Sequence, residues 1–215
     1  MDLKGCIFDL DGVIVDTAKY HFLAWKRLAA ELGFEFTEED NEALKGVSRM
    51  ESLDILLRKG GIRMEEKEKE ALAALKNGWY VKLITGMTPD EILPGSIDLL
   101  EALRSEGILT AIGSASKNAG TILEGIGLRS IFDVIIDGNK ITRDKPDPEV
   151  FLKGAEEMKL PPSSCVVFED AQAGIEAALA GGMKCVGVGD PELLGRADVV
   201  VPDLSFITVK QLRNL

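Results

Sequence analysis

Two aspartates two residues apart, Asp9 and Asp11, close the apolar run LKGCIFDL and open the segment DGVIVDT, which carries a third, Asp16. An Asp-x-Asp pair alone means little, since chance predicts about one in a chain of this composition. Position raises its weight. Residues two apart in a strand point the same way, so both carboxylates project together at the carboxyl end of a strand. That edge is where open α/β sheets bind ligands. Adjacent carboxylates repel unless a cation or a shared proton intervenes. A plain Asp-Gly turn is the competing reading, and the strand-to-helix context outweighs it.

Other strand ends carry matching chemistry. Ser114-Ala115-Ser116-Lys117-Asn118 follows the apolar run LTAIG and enters a helical segment. Its hydroxyls and free N–H groups suit a phosphate, although an ordinary helix cap has the same composition. Lys145, in DKPDP, sits between a loop and a Pro-anchored helix; alone it reads as a surface lysine. Glu169 and Asp170 directly follow CVVF. Four carboxylates at one edge call for Mg²⁺, a hard cation that prefers oxygen ligands. Convergence carries this argument, not any single motif.

These residues need elements to hold them. Apolar strand runs fall at Leu3–Leu10, Leu109–Gly113, Val134–Ile136, Cys165–Phe168 and Cys185–Val188, with a shorter edge run at Val199–Val201. Helical patterns lie between them: Ile97–Arg104 before Gly107, Thr121–Ile126 before Gly127, Pro148–Lys159 after Asp147 as N-cap, and Gln172–Ala180 before Gly181. Gly just past a periodic segment marks a helix C-terminus. Alternating strands and helices predict an α/β fold, a doubly wound parallel sheet with a Rossmann-like core.

The rhythm breaks from Thr17 to Gly86. Helices without strands are expected there, at Ala18–Leu32, Glu38–Leu44, Arg49–Lys59 and Met64–Ile84. Thr37 with Asp40 resembles a capping box, and Glu65–Glu70 reads as a solvated helix face. The expected organisation is a catalytic core of residues 1–16 and 87–215 with an inserted all-helical cap at 17–86. Its hinges fall at Val15–Thr17 and Thr85–Pro94.

Composition narrows the functional classes. The chain has 215 residues, 46% hydrophobic and 28% charged, enough for a sizeable core. The net charge of −11 disfavours nucleic-acid partners. Cys6, Cys165 and Cys185 are odd in number and sit in apolar runs, so buried thiols in a reducing compartment are expected. The N-terminus has acids where a signal peptide would be apolar, and no run approaches the ~18 residues of a membrane span. A cytoplasmic monomer without membrane partners is the expectation.

FDLDGVIVDT, GSASKN, KPDPEVF and FEDAQAGIEAA, in this order, resemble the four motifs of the haloacid dehalogenase superfamily of phosphotransferases. TAKYHFLAWKRLAAELG, LKGVSRMESL and NGWYVKLI are similar to the cap of its β-phosphoglucomutase family, as VVVPDLSFITVKQL is to that family's carboxyl end. Ala171 departs from the usual Ser after Glu-Asp, and Met50 stands where an acid is common. The resemblance implies Asp9 as the nucleophile that becomes an aspartyl phosphate and Asp11 as general acid and base. Ser114 and the Ala115 N–H would hold the phosphoryl oxygens beside Lys145. Mg²⁺ would sit on Asp9, Glu169, Asp170 and the carbonyl of Asp11. Sugar phosphates are the implied partners, with β-glucose 1,6-bisphosphate as activator and intermediate.

Core motifs of this kind fit a mutase or a sugar-phosphate phosphatase equally, so the cap must decide. By the same resemblance Arg49 grips a second phosphate, with Ser116, Lys117 and Asn118 as core-side partners. His21 and Lys76 couple Asp11 to closure, and Thr17, Trp25, Lys45, Gly46, Val47, Ser48 and Tyr80 complete the sugar site. Plainer readings stand beside these. Trp25 lies on the apolar stripe Phe22–Trp25–Leu28–Leu32, so helix packing accounts for it as well. Lys76 and Tyr80 are four apart and could form a surface pair. A lone histidine is more often structural. Arg49 after Gly-Val-Ser is the least easily dismissed. A non-catalytic binding protein on this scaffold would lack Asp9, Asp11 or Lys145, and all three are present.

Overall fold

In a computed structural model, residues 1–44 and 47–215 are described. The elements, in chain order, are β1 (Gly5–Phe8), α1 (Ala18–Glu31), α2 (Glu38–Glu42), α3 (Arg49–Lys59), α4 (Glu66–Ile84), α5 (Ser96–Ser105), β2 (Leu109–Gly113), α6 (Ala119–Gly125), β3 (Val134–Ile136), α7 (Glu149–Glu157), β4 (Cys165–Glu169), α8 (Gln172–Ala180), β5 (Lys184–Val188), α9 (Pro191–Leu194), β6 (Val199–Val201) and α10 (Val209–Leu212). The chain divides into an α/β unit, Met1–Asp16 with Thr88–Leu215, and a helical unit, Thr17–Met87. The second junction falls after Met87 rather than Gly86. Met87 donates its amide to the Ile84 carbonyl and is buried, so it finishes α4's last turn.

In the α/β unit six parallel strands run in the order β3-β2-β1-β4-β5-β6. The order reverses at β1, which pairs with β2 on one side and β4 on the other. Such a switch point opens a crevice at the strands' carboxyl ends. Central strands of a parallel sheet must be apolar on both faces. On one face Ile7, Ala111 and Val167 pack with Val150, Phe151 and Ala155 of α7 and Ile175 and Ala178 of α8. On the other Phe8 stacks on Phe168, centroids 4.4 Å apart, with Phe132 edge-on at 6.2 Å. Each such phenylalanine contributes ~1.5–3 kcal/mol of burial, which holds β1 and β4 in the register that matters below. The three cysteines are free and buried.

The helical unit has its own core, in which Trp25, Leu28 and Ala29 of α1 meet Phe36, Leu53, Leu56 and Leu57, and Ala73 of α4. The Thr37–Asp40 capping box is present, with both reciprocal bonds. Several boundaries move from those expected. Helix α4 starts at Glu66, because Glu65 is its N-cap and forms a capping box with Glu68. Helix α7 starts at Glu149 with Pro148 as N-cap, while Asp147 accepts the Glu149 amide instead of capping. Four-residue helices α9 and α10 went unforeseen, being too short for a periodic signal. No helix among the described residues is long and apolar enough to cross a membrane.

Candidate active site

Strand register assembles the site. Phe8 pairs with Ile112 on one side and Phe168 on the other, so the next residue, Asp9, emerges beside Gly113 and Glu169. The Asp9 amide donates to the Phe168 carbonyl at 2.9 Å, which extends the ladder by one step. Asp9 is only 7% exposed. Its Oδ1 accepts from the Lys145 ammonium at 2.6 Å and its Oδ2 from the Asp11 amide at 3.0 Å. The same ammonium donates to Glu169 Oε1 at 2.5 Å, and Glu169 Oε2 accepts the Ala171 amide at 2.7 Å. Sequence could place Lys145 on the surface; its side chain is instead buried between two carboxylates.

Charge decides what this arrangement wants. Burial disfavours the Lys145 cation, but Asp9 and Glu169 outweigh it and raise its pKa. Burial, then the nearby Asp9 charge, pushes Glu169 up despite Lys145. Asp170 is driven well above the usual carboxylate range by burial and by the charges of Glu169 and Asp9. One lysine therefore does not neutralise the cluster. Two glycines let the acids come this close. A Cβ on Gly12, whose φ is +88°, would lie 2.1 Å from Asp170 Oδ2, and one on Gly174 would lie 1.9 Å from Glu169 Oε1. Among the described residues no three His, Cys, Asp or Glu side chains already converge on a metal-sized point, because Lys145 holds Asp9 and Glu169. The donor chemistry, all oxygen with an anionic surplus, fits a hard divalent cation.

Beside Asp9, Ser114 is buried at the end of β2 and its amide donates to the Ile136 carbonyl. The loop curls on itself, Ser116 N–H donating to Ser114 Oγ and Asn118 N–H to Ser116 Oγ. Asn139 Nδ2 clamps the Lys117 carbonyl at 3.0 Å, and the Gly138 amide reaches the Ser116 carbonyl. Sequence reading missed Gly138 and Asn139, since Asp-Gly-Asn reads as a generic turn. Ala115 and Asn118 are half-buried in this loop, and the Lys117 side chain is exposed.

The helical unit gathers a second cluster. The Lys76 ammonium lies 2.9 Å from His21 Nδ1 and over the rings of Trp25 (4.2 Å) and Tyr80 (5.0 Å). His21 and Tyr80 stack with centroids 4.1 Å apart. Lys76 and Tyr80 are 2% and 1% exposed, so they are not a surface pair. Trp25 belongs to the unit's core while also facing Lys76. Thr17 is buried at α1's N-cap position, and Val47 is half-buried. The Ser48 hydroxyl caps α3 by accepting the Glu51 amide, and half-buried Arg49 follows at the helix's first position. Lys45 and Gly46 lie outside the described residues.

An ammonium can only donate, so His21 Nδ1 accepts and the ring is neutral with its proton on Nε2. Burial, then Lys76 and Arg49, lowers its pKa well below the ordinary 6.5. The unfolded chain takes up a proton near 6.5 while the folded one does not. The contribution is therefore complete above 6.5 and fades as pH falls toward the folded value, approaching ~1.4 kcal/mol per pH unit. Urea unfolding at pH 7.5 and 5.5 should show His21→Gln losing less stability on acidification than the parent. Equal losses would contradict the neutral assignment.

A haloacid dehalogenase-like hydrolase family model matches residues 3–182. The chain belongs to this family. It is 42% identical to a β-phosphoglucomutase of Bacillus subtilis over 99% of this chain and 95% of that protein. It is 31% identical to a phosphorylated carbohydrates phosphatase of Thermotoga maritima over 85% of this chain and 83% of that protein. The crystal structure of a β-phosphoglucomutase from Clostridium difficile superposes with a TM-score of 0.93 at 42% identity, covering 99% of this chain and 96% of that one. As a haloacid dehalogenase-family enzyme it thus has a Rossmann-like sheet and a helical cap, as the motifs implied.

Proposed function

We propose that this chain interconverts β-glucose 1-phosphate and glucose 6-phosphate through an aspartyl phosphate at Asp9 and a β-glucose 1,6-bisphosphate intermediate. The observation that carries the reading is the likeness to a β-phosphoglucomutase over 99% of the chain. It includes the helical unit, where mutase and phosphatase differ. An Asp9 oxygen forms the bond to phosphorus as the bond to the departing sugar oxygen breaks. Asp11 gives its proton to that oxygen and later takes one from the attacking hydroxyl. Lys145, Ser114 and the Ala115 N–H stabilise the phosphoryl oxygens. Asp9, Glu169, Asp170 and the Asp11 carbonyl would hold Mg²⁺, which when bound supplies positive charge to the transferring group. Ser116, Lys117 and Asn118, with Thr17, His21, Trp25, Lys45, Gly46, Val47, Ser48, Lys76 and Tyr80, would contact the sugar phosphate or order the groups that do.

Arg49 grips the second phosphate of the bisphosphate. Guanidinium presents a planar fork to phosphate oxygens that lysine cannot reproduce, and losing such a charge-assisted contact costs ~1.5–3 kcal/mol. Arg49→Ala should cut isomerisation by a factor of roughly 10 to 100, with far less effect on acetyl phosphate hydrolysis. A parallel fall in both would give Arg49 a purely structural role.

The likeness to a carbohydrate phosphatase supports a second reading, in which water accepts the phosphoryl group. A nuclear magnetic resonance time course with β-glucose 1-phosphate, Mg²⁺ and a trace of bisphosphate decides between them. Glucose 6-phosphate should accumulate; free phosphate released at the same rate would favour the phosphatase.

A further inference from the structure

The Lys145 ammonium is buried, yet the backbone that carries it is not. Thr142, Arg143, Asp144 and Pro146 are exposed, so apolar burial contributes little to fixing this strap. What ties it down is one carboxylate at the start of α7. Glu149 Oε2 accepts the Thr142 amide at 3.0 Å, the Thr142 hydroxyl at 2.9 Å and the Arg143 amide at 2.8 Å. Its other oxygen pairs with Lys153 at 2.7 Å. The strap closes on itself nearby, Asp147 N–H donating to the Asp144 carbonyl and Asp147 Oδ1 accepting the Glu149 amide.

We propose that Glu149 is a positioning residue for Lys145: its carboxylate anchors the 142–147 strap to α7 and thereby sets where the ammonium meets Asp9 and Glu169. Three charge-assisted bonds converge on one oxygen, and that is stiffer than a loop held by neutral contacts. The tie persists across the working pH range. The Lys153 bond, then the Thr142 and Arg143 bonds, hold Glu149 down to about 2 from an ordinary 4.5, against the opposing effect of burial. Lys153 pairs with the other oxygen, Oε1, and makes no bond to residues 142–147 themselves, although its ammonium also donates to the Lys140 carbonyl just ahead of the strap.

The test has two arms, and only the second rests on the phosphotransfer reading. In ¹⁵N-lysine-labelled Mg²⁺-loaded protein, the Lys145 Nζ signal, assigned by its loss in Lys145→Met, should be protected from exchange. It should broaden or vanish in Glu149→Ala and persist in Lys153→Met. An unchanged signal in folded Glu149→Ala overturns the proposal. In the second arm, phosphate release from acetyl phosphate should fall about 10–100-fold in kcat for Glu149→Ala with KM nearly unchanged. Glu149→Gln, which keeps an acceptor for the strap, should recover much of that loss. In a Lys145→Ala background the Glu149→Ala change should cost nothing further. A full additional loss there means Glu149 acts on general stability, and overturns the proposal. If Glu149→Ala does not fold, Glu149→Gln and Lys153→Met both lose the Lys153 pair, and the Gln variant must be the slower for the proposal to stand. If the parent itself shows no phosphotransfer, the functional reading fails while the Nζ arm still decides this one.

Discussion

Asp9→Ala should abolish turnover while leaving the protein folded, a loss on the order of the 10⁶-fold seen when other catalytic nucleophiles are removed. Asp9 ends the strand at the sheet's switch point with both oxygens held, one by Lys145 and one by the Asp11 amide. No neighbour can replace it. Glu169 is turned onto Lys145 and the Ala171 amide, and burial favours its protonated form. Folding should survive because Lys145 keeps Glu169 as a partner, and removing one of several crowded carboxylates relieves the repulsion that raises Glu169 and Asp170. Mass spectrometry after exposure to acetyl phosphate should find the phosphoryl adduct on the parent and not on the variant. Substantial activity in folded Asp9→Ala would sink the assignment of Asp9 as nucleophile.

Strand ends were the legible part of this molecule. Apolar runs and the polar residues after them marked Asp9, Ser114 and Glu169 as lying at one sheet edge, because a parallel sheet presents all its carboxyl ends together. Which ends become neighbours was not legible. Placing Glu169 beside Asp9 requires β1 to pair with β4 across more than a hundred residues, and long-range pairing leaves no local trace. Lys145 illustrates the same limit: its dipeptide looks like a surface turn, and only its bonds to Asp9 and Glu169, both distant in sequence, reveal that it is held inward. In the helical unit the Lys76–Tyr80 spacing could not tell a solvated pair from a buried one. Burial came from α1, whose His21 and Trp25 cover that face of α4. Chemistry was readable where residue type and element end coincide, and unreadable where it depends on a partner far along the chain.

Asp11→Asn should lower turnover by about 10²–10⁴-fold, the usual contribution of a positioned acid and base. The substitution isolates that role because the group that holds Asp9 is the Asp11 amide, which any residue at this position supplies. The Asp9 carboxylate stays oriented, Lys145 stays paired, and the backbone carbonyl proposed as a metal donor is unchanged. What is lost is a carboxyl that can carry a proton. The leaving oxygen must then depart unprotonated, so the penalty should grow with its basicity. A sugar alkoxide should suffer the full loss, whereas acetyl phosphate, whose leaving acetate needs no proton, should phosphorylate Asp9 at close to the parent rate. Rapid-quench measurement of the aspartyl phosphate with each donor gives the two rates. Equal losses with both donors would mean that Asp11 acts through the geometry of Asp9 rather than through its proton.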